Sequence, residues 1–181
     1  GHTLVCGTRT FLVRNSAFEG GVTAFDISGS GQFEFENNVF MRNTTGIKLE
    51  DIEDVSITQN VFYETETAIQ CVANNSVNSA VIANNLFQET ETGIEILSGD
   101  NSLLAISCNT LEYTAYGIWS EGTLSDFGSL ATSAGNYFVS ASSNNNHQFH
   151  HTGPSMTYYC GSQNFFTLNS NGGCTANMGS S

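Results

Sequence analysis

Residues 55–71 read VSITQNVFYETETAIQC and residues 80–96 read AVIANNLFQETETGIEI, one pattern written twice. Both copies carry an aliphatic pair, an Asn, a Phe two residues later, a Glu-Thr-Glu-Thr block and a small residue followed by Ile. Working outward, the Phe position recurs as Phe18, Phe40, Phe62, Phe87, Leu111, Phe138 and Phe166, at intervals of 22, 22, 25, 24, 27 and 28 residues. Two residues before it stand Ser16, Asn38, Asn60, Asn85, Asn109, Asn136 and Asn164. Six after it comes Ala24, Gly46, Ala68, Gly93 or Gly117, followed by Phe25 or an Ile. Self-similarity at such a period marks a solenoid or an array of stacked units.

Within each unit the apolar residues alternate, as in Val55-Ser-Ile57 and Ile94-Glu-Ile96, which is the period of a half-buried strand. Long 3.6-period runs of helix formers are missing, and so is a Leu-x-x-Leu-x-Leu frame. Short strands separated by turns predict an all-β chain, a right-handed parallel β-helix (β-solenoid) of about six to seven coils. The Phe column, Phe18, Phe40, Phe62, Phe87, Leu111 and Phe138, is expected to fill the core. The Asn column, Asn38, Asn60, Asn85, Asn109, Asn136 and Asn164, is expected to form a structural ladder whose amides satisfy turn backbone that burial would otherwise leave unpaired. The small column lets the chain bend beside its neighbour.

The pattern x-I-x-x-N-x-F followed by G-I-x-L resembles the right-handed parallel β-helix repeat of the pectate-lyase-like superfamily, which bacterial surface proteins and phage spikes share. The resemblance covers residues 11–138 and implies the fold. That superfamily contains lyases, hydrolases, epimerases, adhesins and structural shafts, so function has to come from the residues themselves.

The length suits one domain, residues 1–181, with an opening strand over 1–12, regular coils over 13–140 and an Asn-, Ser-, Gly- and aromatic-rich tail over 141–181. Only 12% of residues are charged and the net charge is −13. Residues 1–48 hold four basic and four acidic groups, whereas residues 49–181 hold thirteen acidic groups and no basic one. Such a surface repels nucleic acid and anionic lipid. No run approaches the ~20 apolar residues of a membrane span. A chain starting at Gly1 without Met, rich in Asn, Ser, Thr and Gly and poor in Lys, is read as a processed or partial extracellular or cell-surface protein.

Few groups stand out as sites. Glu64 and Glu89, and Glu66 and Glu91, fall in matching positions of successive units, about 4.8 Å apart if stacked. Oxygen-only ligands of this kind would suit Ca²⁺; otherwise no cofactor is expected, and a solvated acidic stripe is the ordinary alternative. His147, His150 and His151 form a weak trio for a metal. Cys71 occupies an Ile/Leu column and reads as a small core hydrophobe; Cys108 replaces Asn37 and Asn84 in a polar turn column. Cys160 and Cys174, flanking a Gly- and Asn-rich loop, are a candidate disulfide. Asn43 and Asn74 each open an Asn-x-Ser/Thr glycan-acceptor pattern.

The four cations, Arg9, Arg14, Arg42 and Lys48, stand in unrelated columns and build no polyuronate cleft. Glu50, Asp51, Glu53 and Asp54 crowd one loop instead of facing one another across a groove. No catalytic residue is assigned, so a structural role is preferred: an extracellular β-solenoid that associates with itself, head to tail or laterally, into a filament or an adhesive surface structure. The alternative is a β-helix that binds or degrades polysaccharide, with glycans as partners. No polar segment covers the first coil, and the final 55 residues contain no Asp, Glu, Lys or Arg while carrying many aromatics. Both features favour assembly.

Overall fold

Alternating apolar residues make strands that bury one face, and repetition of the alternation makes the strands stack coil on coil. A computed structural model of the chain describes residues 2–5, 10–72, 79–124, 135–140, 147–153, 165–166 and 177–178. Its strands pair in parallel throughout and form a right-handed β-helix. Among the described residues there is no helix long and apolar enough to cross a membrane.

The first sheet has eleven strands. One run of pairings joins β1 (His2–Val5), β3 (Ala17–Ser28), β5 (Val39–Glu50), β7 (Val61–Tyr63), β10 (Leu86–Ile96), β13 (Thr110–Ser120), β15 (Tyr137–Ser140) and β17 (Phe165–Phe166). Beside it β8 (Thr67–Val72) lies between β5 and β10, while β16 (His147–His151) bridges β13 and β18 (Asn177–Met178). The second sheet stacks β2 (Thr10–Arg14), β4 (Gln32–Glu36), β6 (Asp54–Thr58), β9 (Ser79–Ala83) and β12 (Leu104–Ser107). A third, two-stranded sheet pairs β11 (Asp100–Asn101) with β14 (Thr123–Leu124). The five strands of the second sheet close five coils, fewer than the six to seven expected, although the Phe column of the first sheet continues in register through Phe138 to Phe166.

Phe18, Phe40, Phe62, Phe87, Leu111 and Phe138 are in register across the first sheet. Successive rings from Phe18 to Phe87 stack with centroids 5.3, 4.8 and 5.1 Å apart. The second sheet faces them with Phe33, Phe35, Val55, Ile57, Ile82 and Ile106, all buried. Cys71 takes the place of Leu49 and Ile96 in this core.

The turn from the second sheet to the first has a left-handed residue followed by the Asn position. The left-handed residues are Asn15, Asn37, Gln59, Asn84, Cys108 and Gly135, with φ between 52° and 73°. Short polar side chains tolerate this region better than others do. The Asn that follows is buried and saturates its amide. Asn85 Oδ1 accepts from the Asn60 backbone N–H at 2.9 Å and from Asn60 Nδ2 at 3.1 Å. Its own Nδ2 donates to Ile57 O at 2.8 Å and to Asn109 Oδ1 at 3.0 Å. The same set recurs at Asn60 and Asn109; at the head of the ladder Asn38 Oδ1 accepts only from the Ser16 backbone N–H, because Ser16 carries no side-chain amide, and the ladder ends at Asn136, whose Nδ2 donates to Ile106 O. An amide offers two donor hydrogens and two acceptor lone pairs, and at Asn60, Asn85 and Asn109 all four are used. Asn164, Cys160 and Cys174 lie outside the described residues, as does Asn74.

A second bend, inside the long strands of the first sheet, uses Gly20, Arg42, Glu64 and Glu89 in the left-handed region. The residue that follows turns into a buried polar corner filled by Asn43, Thr65 and Thr90. Asn43 Nδ2 donates to Phe18 O and Thr65 Oγ1 to Tyr63 O. Asn43 is therefore a structural corner residue with a buried side chain, and its acceptor pattern is not available to a glycan. Beyond the corner the chain passes close to the next coil: a Cβ on Gly46 would lie 2.5 Å from Ala68 O and 3.0 Å from the Phe62 ring. The small column is thus set by contact with backbone as well as by bending.

Candidate functional site on the outer columns

With the inner faces consumed by packing, chemistry has only the outward columns, which run parallel to the axis at the spacing of neighbouring strands. Each of the three described cations bridges carboxylates there. Arg14 contacts Glu34 at 3.3 Å and Glu36 at 2.6 Å. Arg42 lies between Glu19 at 3.2 Å and Glu64 at 3.3 Å, from the coils on either side. Lys48 reaches Asp26 at 3.3 Å and Glu50 at 3.1 Å, and the bonds to Glu50 and Asp26 hold its pKa above the ordinary lysine value. All of these pairs are solvent-accessible, so each contributes little to stability, about 0–1 kcal/mol. Their consequence is for function: these cations are occupied by the protein's own carboxylates.

Glu64 and Glu89 occupy the same bend, with φ of 48° and 52°. Glu64 turns towards Arg42 and also accepts from the Tyr63 phenol, whose pKa that bond raises. Glu66 and Glu91 are exposed. Among the described residues no group of three or more His, Cys, Asp or Glu converges as a metal site. At Glu64 the backbone matters more than the charge. Any L side chain in the left-handed region costs about 1 kcal/mol relative to Gly, so Glu64→Gly should be about 1 kcal/mol more stable than Glu64→Ala, read as the order of their thermal midpoints. Equal midpoints would contradict the bend geometry.

A shallow groove on the outer face of the second sheet is lined by Gln32, Glu34, Asp54, Ser56 and Val81. It holds two carboxylates from neighbouring coils, Glu34 and Asp54, and Glu34 is bonded to Arg14.

Two outward columns of the first sheet change character along the axis. One runs Thr23, Thr45, Thr67, Thr92 and then Tyr116. The other runs Asp26, Lys48, Gln70, Glu95, Trp119 and His150. Gln70 Nε2 donates to Glu95 at 2.6 Å. At the fifth and sixth rungs the columns meet in an aromatic group. Tyr116 packs edge-on against Trp119 with centroids 4.4 Å apart, and the His150 ring lies 4.8 Å from Trp119 and 5.7 Å from Tyr116. Trp119 Nε1 donates to Glu121 at 3.2 Å. The four-residue Thr column and this cluster are longer-range features than the two sequence copies in residues 55–96 reveal, because they appear only once all rungs are in register.

Imidazole, thiolate and thioether donors are what copper takes. Cys71 is sealed in the core, where burial, with Glu95 adding to it, pushes its thiol up to about 12, so no thiolate is offered at neutral pH. Cys108 is exposed, at a turn beside Gly135. His150 faces outward against Trp119 while His151 is buried, stacked near Phe149. Adjacent strand residues point to opposite faces, so these two imidazoles do not converge on one ion. The described donors do not fit a copper centre.

A family model described as "Periplasmic copper-binding protein (NosD)" matches residues 3–170. No curated protein and no solved structure matches the chain. The family description overturns the expectation of no cofactor other than Ca²⁺ at the Glu pairs. The physical reason is that the Cys and His residues either substitute for structural residues within the columns or stand outside them, so no spacing marks a soft-metal site. Since the match runs along nearly the whole chain and the described strands form the stacked parallel coils derived above, the protein belongs to the NosD family.

Proposed function

We propose that the chain is a structural β-solenoid of the cell envelope or extracellular space that associates with further copies of itself through its coil ends, building a filament or multimeric surface structure. The observation that supports this reading is the outer edge of the first coil. β1 pairs with residues 25–28 of β3 alone, and among the described residues nothing pairs with the outer side of β2 or of residues 17–22. Leu12 and Val22 on this edge are 48% and 76% exposed. Phe lies on Phe from Phe18 to Phe87, and the small column runs from Ala24 to Gly117, so the edge offers a coil of another copy the contacts that it makes with its own neighbour. Contacts of this kind are heterologous and grow into open polymers when the rotation does not close. The periplasmic description of the family supports placing the rod outside the cytoplasm.

Sedimentation velocity over a micromolar concentration series tests this. The chain should form species that grow with concentration, and Leu12→Lys with Val22→Lys, which places charge on the edge, should leave monomer. A sharp monomer boundary at every concentration would rule out the assembly.

A second reading, binding or turnover of polysaccharide, draws on the groove that holds Glu34 and Asp54. It requires new reducing ends or unsaturated products from polyuronates or neutral glycans, abolished by Asp54→Asn. Copper comes to this chain from the family description; metal analysis of the full chain after Cu(I) loading and gel filtration would reveal a stoichiometric site.

A further inference from the structure

The cluster of Tyr116, Trp119 and His150 is unlike the rest of the outer surface. It sits at the end of a column of hydrogen-bonding side chains, Gln70 and Glu95, and its indole N–H is tied to the Glu121 carboxylate. Trp119 and Tyr116 are half-buried, so part of each ring reaches the surface. β13 is flanked by β10 on one side and by β15 and β16 on the other, so its backbone groups are committed to the sheet. A peptide therefore cannot be added here as a strand, and recognition has to come from side chains. Ring faces beside fixed carboxylates and an amide suit a pyranose, whose C–H face packs on an aromatic ring while its polar rim hydrogen-bonds. The charge selects among pyranoses. Glu95 and Glu121 flank the cluster, residues 49–181 carry no Lys or Arg, and the described cations are tied to carboxylates in the first three coils. This field opposes a uronate and attracts a sugar with a free ammonium, which an indole face also binds by cation–π attraction.

We propose that Trp119, Tyr116 and His150, with Glu121 and Glu95, form a binding subsite for an amino-sugar polymer with unacetylated amines, lying along the rod axis. The inference does not depend on self-association, and a monomer would bind equally.

Trp119 is the single tryptophan of the chain, so its fluorescence reports this site directly. The full chain is titrated with a glucosamine hexamer, an N-acetylglucosamine hexamer, a galacturonate hexamer and hexalysine. The glucosamine hexamer should shift the emission saturably, with roughly tenfold tighter binding than the acetylated hexamer, and the galacturonate should give no shift. Glu121→Gln should weaken glucosamine binding severalfold while leaving the fold intact by circular dichroism, and Trp119→Phe should weaken it with calorimetry as the readout. Equal binding of the acetylated and free-amine hexamers would overturn the charge selection. No saturable shift with either hexamer, or a response to hexalysine alone, would overturn the subsite.

Discussion

Phe62→Ala should lower the unfolding free energy by about 3–5 kcal/mol, the largest loss expected from any single substitution in the coils. The Phe62 ring lies between Phe40 at 4.8 Å and Phe87 at 5.1 Å, nearly parallel to both, at 9° and 6°. Truncation removes two stacked contacts and opens a void that neighbouring coils cannot close, because their spacing is set by backbone hydrogen bonds on both sides. Gly46, whose backbone rests on the same ring, offers no side chain to fill it. Phe62→Leu, which keeps most of the volume, should lose less than half as much. Chemical denaturation read by far-UV circular dichroism gives both values. A loss below about 1 kcal/mol for Phe62→Ala would mean that the column is not the packed core.

Asn85→Ala should cost about 1–3 kcal/mol although it removes only an amide. The substitution takes away the acceptor of the Asn60 backbone N–H, a buried group with no other partner in the ladder, and the donor to Ile57 O and Asn109 Oδ1. Asn85→Asp has the same shape and should be worse at neutral pH. A carboxylate there would face two acceptors, so the folded state would favour the protonated acid and its pKa would lie above the unfolded value of about 4. A folded state that binds more protons loses stability as pH rises. The aspartate variant should therefore recover towards the alanine variant on acidification below about pH 4 and fall behind it at neutral pH. Denaturation midpoints at the two pH values separate this from a simple cavity.

The Phe and Asn columns were legible in the sequence because each coil rests on the next in one register. The same steric and hydrogen-bonding demand is thus repeated at every 22–28 residues, and the chain answers it with the same residue. The bends were less legible. At the second bend the demand falls on the backbone, which must be left-handed, and Gly20, Arg42, Glu64 and Glu89 meet it with three residue types. Identity repeats only between Glu64 and Glu89, where it reads as a charge pair and not as a bend. Arg42 hid for the same reason. It shares no residue type with its column neighbours, yet coil stacking sets it between Glu19 and Glu64, which turns part of an apparent acidic stripe into an ion-pair chain. The acceptor pattern at Asn43 is a local feature, whereas its burial comes from the coil beside it and is not written in the pattern. The Trp119 cluster depends on a register between β13 and β16 that crosses the irregular spacing after residue 120, where the repeat no longer announces itself.

A ladder of buried amides that holds the turns makes one demand of turn backbone that ordinary surface turns do not: its N–H groups should exchange only on opening of the rod. Hydrogen exchange of the amides of Asn38, Asn60, Asn85 and Asn109, each donating to the Oδ1 of the next Asn, measures this directly. They should be protected as strongly as the core strand amides, and in Asn85→Ala the Asn60 amide should lose protection ahead of its neighbours. Exchange of these four at the rate of exposed turn amides would contradict the ladder and the stacking built on it.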